Sequence, residues 1–253
     1  MTRTIKRKVL LLVMLAMGWG SPLFAVDLLN LPAVQSAKAT EALLLDVTPR
    51  GDGAFVAVGE YGVIIVSEDG GETWKQASVP ASVMLTGVYF PTAQKGWAVG
   101  HDGLILHSSD GGHSWEKQLD GYQLNEQILA VAERIVEQHR AEVEALQAAE
   151  EVDEYALEDA EFLLEEAEFM LEGAMDDVDA GPVRPLLAAW FRDENRGFVV
   201  GSYGMLLQTT DGGENWNLVS DRIGSAQAFH LNKIVAAPDG ALFIAGESGY
   251  VYR

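Results

Sequence analysis

The sequence predicts an all-β propeller of about four blades that carries an inserted α-helical hairpin. Two observations lead to this prediction. One glycine-rich motif occurs three times along the chain. An acidic segment with almost no glycine separates its second and third copies.

The start of the chain has the three-part pattern of a secretory signal. Its four basic residues are Arg3, Lys6, Arg7 and Lys8. An apolar run, Val9–Trp19, follows them, and the small residue Ala25 offers a cleavage site. The run is too short for a comfortable membrane span. We therefore expect residues 1–25 to direct export to the periplasm, with an uncleaved N-terminal anchor as the alternative.

The repeated motif has the form S/T-x-D-G-G-x-x-W. Its three copies are Ser67–Trp74, Ser108–Trp115 and Thr209–Trp216. Each copy follows a Gly-x-x-Gly turn flanked by short apolar runs, which is typical of strands joined by tight turns. Asp69 and Asp110 are 41 residues apart, the period of a four-stranded propeller blade. A fourth unit begins at His230, so the sequence predicts about four blades.

We expect the motif to build the fold rather than a catalytic or metal site. An aspartate accepts hydrogen bonds from nearby amides, glycines adopt positive φ, and a tryptophan packs between strands. Three equivalent turns on different blades do not converge on one site. The residues assigned this structural role are Asp69, Gly70, Gly71, Trp74, Asp110, Gly111, Gly112, Trp115, Asp211, Gly212, Gly213 and Trp216.

The repeat unit, GWAVGHDGLILHSSDGGHSW in its second copy, resembles the Asp-box (BNR) propellers, and more closely bacterial relatives of the photosystem II stability/assembly factor. The resemblance covers residues 42–121 and 185–253. It implies a seven-bladed ring, of which this chain would supply an incomplete, truncated part. The alternative is a closed ring of four blades, which would need a strand borrowed from the N-terminal segment. Photosynthetic members have an arginine just before the box. Here that position holds Val66, His107, Gln208 and Arg253. Only the last is an arginine, so binding to a photosystem subunit is not implied.

Residues 122–179 form the predicted insertion, with 19 acidic and 2 basic residues. Apolar residues spaced by three and four predict two amphipathic helices packed as an antiparallel coiled coil. The stripe expected on the first helix contains Leu124, Ile128, Val131, Ile135, Val143 and Leu146. The stripe expected to face it contains Tyr155, Phe162, Leu163, Phe169 and Met170. Leu164, Leu171 and Met175 are expected off these stripes, as apolar contacts for a partner with a basic surface. The alternative is a solvated decoration.

The expected division of the chain is signal (1–25), first propeller part (26–121), helical hairpin (122–179) and second propeller part (180–253). Removal of the signal would leave a net charge of -25, against -21 for the full chain. Such a charge disfavours nucleic acid as a partner. The absence of cysteine excludes disulfides and thiolate metal sites.

We expect no catalytic residue, cofactor or metal. Asp-box repeats also occur in sialidases, but no arginine here has the Arg-Ile/Leu-Pro setting that a likeness to sialidases would require. The arginines considered are Arg50, Arg184, Arg192, Arg196, Arg222 and Arg253. The histidines His101, His107 and His113 recur every six residues, a spacing better suited to structural than to ligating roles.

The sequence therefore predicts a non-enzymatic, exported scaffold that binds proteins and assists an envelope complex, a transporter accessory being the specific hypothesis. The alternative is a carbohydrate-binding or sialidase-like glycoside hydrolase propeller. That alternative predicts a pocket of arginines and aromatic residues at the propeller centre.

Overall fold

A computed structural model describes residues 26–151, 153–223 and 229–253. The expected signal segment lies outside these residues, and its assignment stays a prediction. Within the described part of the chain, the strands form four antiparallel sheets, and each sheet keeps the strands in sequence order. Such up-and-down sheets are the blades of a propeller. The predicted fold class, with its four blades and inserted helical hairpin, is confirmed.

The first three blades have four strands each. The first contains β1 (Leu44–Pro49), β2 (Phe55–Gly59), β3 (Ile64–Ser67) and β4 (Lys75–Gln76). The second contains β5 (Leu85–Tyr89), β6 (Gly96–Gly100), β7 (Ile105–Ser108) and β8 (Glu116–Leu119). The third contains β9 (Leu186–Phe191), β10 (Gly197–Gly201), β11 (Leu206–Thr209) and β12 (Asn217–Leu218). Three strands form the fourth sheet in the described residues: β13 (Leu231–Ala236), β14 (Leu242–Gly246) and β15 (Val251–Tyr252).

Each Gly-x-x-Gly segment forms the tight turn between the second and third strands of a blade. In the first three blades two successive residues of this turn have positive φ. The pairs are Tyr61 and Gly62, Asp102 and Gly103, and Tyr203 and Gly204. Two successive left-handed residues are what a two-residue hairpin turn of the favoured twist requires. The glycine occupies the second position, where its lack of a Cβ removes the steric cost.

The blades are arranged as a series with their first strands side by side. Strand β5 packs against β1 and β2, β9 against β5 and β6, and β13 against β9 and β10. On β1, Leu45 and Val47 stay exposed. This exposure agrees with the expectation of an incomplete ring.

The hydrophobic core lies between the blades rather than inside any one of them. One cluster joins the first and second blades and includes Val56, Val58 and Trp115. Another joins the second and third blades through Trp97 and Phe191. A third joins the third and fourth blades. Because side chains alternate along a strand, every blade contributes to the clusters on both of its faces.

A segment before the first blade completes the first of these clusters. Leu29 is fully buried in it. The Ala33 amide donates to the Val79 carbonyl at 3.0 Å, and the Ser82 hydroxyl donates to the Leu31 carbonyl at 2.8 Å. The segment is thus held along the connection between the first and second blades.

The insertion consists of α1 (Gly121–Gln147) and α2 (Glu154–Ala180), and lies between β8 and β9. It therefore replaces the connection between the second and third blades. In the described ranges, no helix combines the length and the apolar character that crossing a membrane requires.

Candidate functional site

The three repeated motifs form three separate turns, each closed by its own aspartate. Asp69 accepts hydrogen bonds from the Thr73 amide at 2.8 Å and from the Ser67 hydroxyl at 2.8 Å. The same Ser67 hydroxyl accepts from the Gly71 amide at 2.8 Å. Asp110 and Asp211 repeat this arrangement with the equivalent residues of their own turns. The aspartates are thus occupied by backbone and neighbouring side chains.

These hydrogen bonds keep the three aspartates ionised. Hydrogen bonds from the Thr73 side chain and backbone, and then from Ser67, lower the pKa of Asp69 to about 2. The Asn215 side chain and backbone lower the pKa of Asp211 to about 2. Burial by itself would raise the pKa of Asp110, but hydrogen bonds from Ser114 and Ser108 outweigh it and lower that pKa to about 2. A carboxylate stabilised in this way is a poor proton donor or acceptor at neutral pH.

Two of the motif tryptophans, Trp115 and Trp216, lie in the clusters between blades, whereas Trp74 packs against a smaller cluster formed by the first blade and Ala39. The indoles of Trp74 and Trp115 donate to the carbonyls of Gly71 and Gly112, at 3.0 and 2.9 Å. Trp216 instead donates to Gln118 of the preceding blade, at 3.4 Å. Gln118 was not singled out from the sequence, since its partners lie up to 98 residues away.

The helical hairpin is fixed to the propeller at its base. Asp120 caps α1, and its side chain accepts from the amides of Tyr122 and Gln123 while the Gln123 side chain accepts from the Asp120 amide. Leu124, one turn into the helix, is fully buried in the cluster between the second and third blades. A Cβ on Gly121 would lie 2.3 Å from Pro182 Cβ, so only glycine fits there. The first turn of α1 is thus part of the propeller core.

The end of α2 is tied to the start of α1. The buried Asn125 side chain donates to the carbonyls of Asp177 at 2.7 Å and Gly181 at 3.3 Å. The Arg184 guanidinium pairs with the Asp177 carboxylate and lies 5.0 Å over the Tyr203 ring of the third blade. The signal for the capping box, Asp-x-x-Gln before an apolar run, is present in the sequence. Asn125 was missed because nothing local marks its partner.

The contact between the helices follows a heptad pattern, but on a different face of α2 from the one predicted. Ala160, Ala167 and Ala174 are buried, and Leu164 and Leu171 between them are half-buried. On α1 the buried residues of this contact include Ala132, Val136 and Val143. Rows of alanine allow the helices to approach closely while the leucines fill the space between them.

The predicted inner stripe of α2 is therefore wrong. Tyr155, Phe162, Leu163, Phe169 and Met170 are all exposed; Tyr155 is 84% exposed and Phe169 77%. Leu164 and Leu171, expected off the stripe, lie in the contact with α1 and are only half-buried, while Met175 is exposed. Both apolar sets repeat every seven residues, but only the set of Ala160, Leu164, Ala167, Leu171 and Ala174 alternates by four and three. The small apolar area of alanine makes this inner stripe the less conspicuous of the two in the sequence.

The exposed set lies on one side of α2, which we call the aromatic face: Tyr155, Phe162, Leu163, Phe169 and Met170. Tyr155, Phe162 and Phe169 are seven residues apart, so they lie within about 40° of one another around the helix. Each lies about 140° from the alanine five residues further along. Leu163 and Met170 widen the face to about 120°, as wide as a stripe that normally faces a core.

Carboxylates surround this face and interrupt it. Helix α2 carries 11 acidic and no basic residues. Asp159 and Glu166, both exposed, fall between successive aromatic residues on the same side of the helix. Across the hairpin, Arg140 of α1 pairs with Glu168 at 3.0 Å. The surface combines apolar rings with a dense negative charge.

Two arginines share a pocket, and three others pair with separate neighbours. Arg222 and Arg253 line a pocket of about 270 Å³ between the third and fourth blades, together with Phe198 and Tyr252. Each also has a polar partner, Gln208 for Arg222 and Asp239 for Arg253. Arg50 pairs with Glu68, Arg184 with Asp177, and Arg196 with Asp193. His107 and His113 both lie on the second blade: His107 is 3.2 Å from Glu116, and His113 is 2.9 Å from Glu68 of the first blade. Across the described ranges, no three His, Cys, Asp or Glu side chains are grouped so as to hold a metal ion.

A cavity of about 520 Å³ opens between the segment before the first blade and that blade's tight turn. Leu28, Leu31, Val34 and Tyr61 line it, together with charged groups such as Lys38 and Glu41. None of its described lining residues is an arginine. This lining differs from the pocket of arginines and aromatic residues that a sialidase-like site would require, whereas the pocket of Arg222 and Arg253 contains two arginines and two aromatic residues.

Comparison with known proteins agrees with the resemblance expected from the repeat unit. Residues 33–149 match the family described as Photosynthesis system II assembly factor YCF48. The match covers the first two blades and α1, somewhat less than half of the chain. The resemblance to this family is thereby confirmed over that range. No curated protein matches the sequence.

Three solved structures are similar to the chain at low identity. YCF48 bound to D1 peptide is 15% identical with a TM-score of 0.47, and the match covers 81% of this chain and 48% of that one. YCF48 from Cyanidioschyzon merolae is 13% identical with a TM-score of 0.48, covering 83% and 50%. The GH74 enzyme of Niastella koreensis is 11% identical with a TM-score of 0.46, covering 81% and 26%. The chain spans about half the length of the two YCF48 structures.

Proposed function

We propose that this chain is an exported, non-enzymatic propeller scaffold that binds other proteins and assists the assembly or operation of an envelope complex. The observation that carries the proposal is the helical hairpin. It is anchored in the propeller core at Leu124 and exposes a row of aromatic side chains on its outer side. Exposed apolar surface of this extent is typical of protein contacts.

The hairpin is suited to binding because its orientation is fixed before a partner arrives. The Asn125 side chain joins the two helices at their base, and Arg184 joins α2 to the third blade. A preorganised surface loses little conformational entropy on association. A solvated decoration needs neither a buried polar clamp nor an exposed aromatic row.

Charge indicates the kind of partner. Residues 122–179 carry a net charge of -17, most of the negative charge of the chain. Such a field accelerates encounters with a basic surface and disfavours acidic ones. The expected partner is therefore a protein with a basic, partly apolar surface.

Family and location support the assembly role. The match to an assembly-factor family covers residues 33–149, and it suggests a role in building or maintaining another complex. The basic and apolar start of the chain suggests export, which would place that complex in the envelope. A transporter accessory is the specific form of this role that we favour.

The absence of enzymatic activity is part of the proposal. The motif aspartates are held ionised by their own turns, and the arginines pair with separate neighbours. An ionised aspartate cannot donate a proton to a glycosidic oxygen, and Arg222 and Arg253, which line one pocket, already pair with Gln208 and Asp239.

The test is affinity capture from detergent-solubilised envelopes, comparing the intact protein with a variant in which a short linker replaces residues 133–173, so that Leu124, Asn125 and Asp177 at the base of the hairpin are kept. Recovery of a membrane complex by the intact protein, and its loss with the variant, supports a scaffold that docks through the hairpin. Equal recovery by both keeps the scaffold but moves the contact to the blades. If neither protein recovers a complex, the assembly role fails.

A further inference from the structure

Helix α2 has two apolar stripes, and this chain covers one of them. The inner stripe of alanines and leucines packs against α1. The outer one, the aromatic face, is exposed, although Phe and Tyr are costly to leave in water. A helix with apolar residues on two opposite sides is normally packed on both.

The aromatic face has a repeating order of apolar and acidic groups. Asp159 lies between Tyr155 and Phe162, and Glu166 lies between Phe162 and Phe169. The aromatic residues repeat every seven positions, and so do these two carboxylates. A matching surface would therefore also repeat every seven residues, with apolar groups opposite the rings and basic groups opposite the carboxylates.

We propose that the aromatic face of α2 docks an amphipathic α-helix of another protein, with apolar residues in a heptad pattern and lysine or arginine at the flanking positions. This inference rests on the proposed function, since it supplies the partner chemistry for the hairpin. Basic side chains next to aromatic rings add a cation–π attraction to the ion pairs.

Charge complementarity selects this occupant over two others. A second copy of the chain would bring another α2, with its 11 acidic residues, against the first, and the like charges would repel. A membrane surface carries anionic headgroups, and binding of an amphipathic helix to it normally requires lysine and arginine on the polar face. α2 has neither.

The dimensions favour a helix and a reversible contact. From Tyr155 to Phe169 the face extends about 21 Å along the helix, at about 1.5 Å per residue. Five apolar side chains bury a few hundred Å², well below the roughly 800 Å² per partner of a standard stable interface. The docked helix therefore exchanges, as in other recognition modes in which an amphipathic helix lies in a groove.

The direct test uses a fluorescein-labelled synthetic peptide of three heptads, with leucine at the apolar positions and lysine beside them. Fluorescence anisotropy measures its binding to the full chain. The double variant Phe162→Ser, Phe169→Ser should raise the dissociation constant about tenfold or more. The control is Val178→Ser, an exposed apolar residue of the same helix outside the face, and it should leave the constant within about twofold.

Charge reversal tests the pairing independently of the rings. The double variant Asp159→Lys, Glu166→Lys should weaken binding of the lysine peptide about tenfold. It should strengthen binding of a second peptide in which glutamate replaces every lysine. Both positions are exposed and lysine is a good helix former, so the helix should be retained, which far-ultraviolet circular dichroism checks.

Three results would overturn the inference. The first is equal binding of the lysine peptide to the unaltered protein and to the Phe162→Ser, Phe169→Ser variant. The second is co-sedimentation with phosphatidylcholine vesicles that the same variant abolishes, because it would assign the face to a membrane. The third is self-association in sedimentation velocity that the variant abolishes, because it would assign the face to a second copy.

The inference and the proposed function fail separately. If peptide binding does not depend on the aromatic face but the intact protein still recovers a membrane complex, the scaffold function is supported and the docking face is rejected. If the peptide depends on the face and no complex is recovered, the docking face stands and the envelope role does not.

Discussion

Trp97 of the second blade and Phe191 of the third stack face to face, with ring centroids 3.7 Å apart and planes inclined by 14°. Both side chains are almost fully buried. Phe191 also meets Trp216 edge to face, at 5.9 Å. The three rings form the centre of the cluster that contains Leu124, so they also support the base of the hairpin.

Replacing Trp97 with alanine should lower the free energy of unfolding by about 3–5 kcal/mol, because it removes a buried ring and leaves a cavity. Chemical denaturation followed by circular dichroism measures the change. Phe162→Ala removes an aromatic ring that is 58% exposed and should cost less than about 1 kcal/mol. A similar loss in both variants would contradict the assignment of the core.

Replacing Gln118 with leucine should destabilise the protein by about 1–3 kcal/mol. The Gln118 carboxamide oxygen accepts from Trp97 Nε1 at 3.0 Å, and its nitrogen donates to the Gly212 carbonyl at 2.9 Å. Leucine leaves these partly buried groups without partners. Thermal unfolding measures the stability of the Gln118→Leu variant. The control is Gln138→Leu, at an exposed position of α1, where the free energy of unfolding should change by less than about 0.5 kcal/mol.

The protein should lose stability in acid as the motif aspartates are protonated. The folded state lowers the pKa of Asp69, Asp110 and Asp211 to about 2, below the ordinary value of 3.8. The contribution is therefore complete above about pH 5 and is lost as the pH falls toward 2. Unfolding midpoints across this range should fall less steeply for Asp211→Asn than for the unaltered protein. Identical slopes would contradict the prediction.

Replacing Gly173, inside α2, and Gly181, at its C-terminal end, with alanine should change the stability of the helix in opposite directions. At Gly173, inside the helix, a Cβ would meet nothing within 4 Å, so Gly173→Ala should stabilise the helix by about 0.5–1 kcal/mol. At Gly181, which ends the helix with φ of +86°, alanine should destabilise it by a similar amount. Helix signal during thermal unfolding measures both. A gain at Gly181 would show that the helix end differs from the structure.

The repeat made the blades predictable, because each strand and turn recurs with the same local chemistry. The tight turns at Gly62, Gly103 and Gly204 are local features, and so are the aspartate-closed turns. Gln118 and Asn125 act through partners that are distant in sequence, and no local pattern marks them. Cross-blade contacts of this kind depend on how the blades pack.

The face of α2 that packs on α1 was mispredicted for a physical reason. Phe162 and Phe169 bury more apolar area than Ala160 and Ala167, so area alone favours placing them inside. Close approach of two helices favours small residues, and Asn125 and Ala132 of α1 lie on the matching side. When one helix has two apolar stripes, a seven-residue repeat alone does not show which stripe packs on the neighbouring helix. Residue size does, because small residues repeated every seven positions allow the two helices to approach closely.

The two ends of the hairpin leave the propeller side by side. Gly121 lies against Pro182, and the Asn125 side chain reaches the Gly181 carbonyl. Removing residues 121–181 would restore a motif spacing close to the 41 residues between the first two copies. The outer part of the hairpin is therefore separable from the strands: an engineered helical pair that keeps Gly121, Leu124 and Asn125 can replace it without changing the strand register.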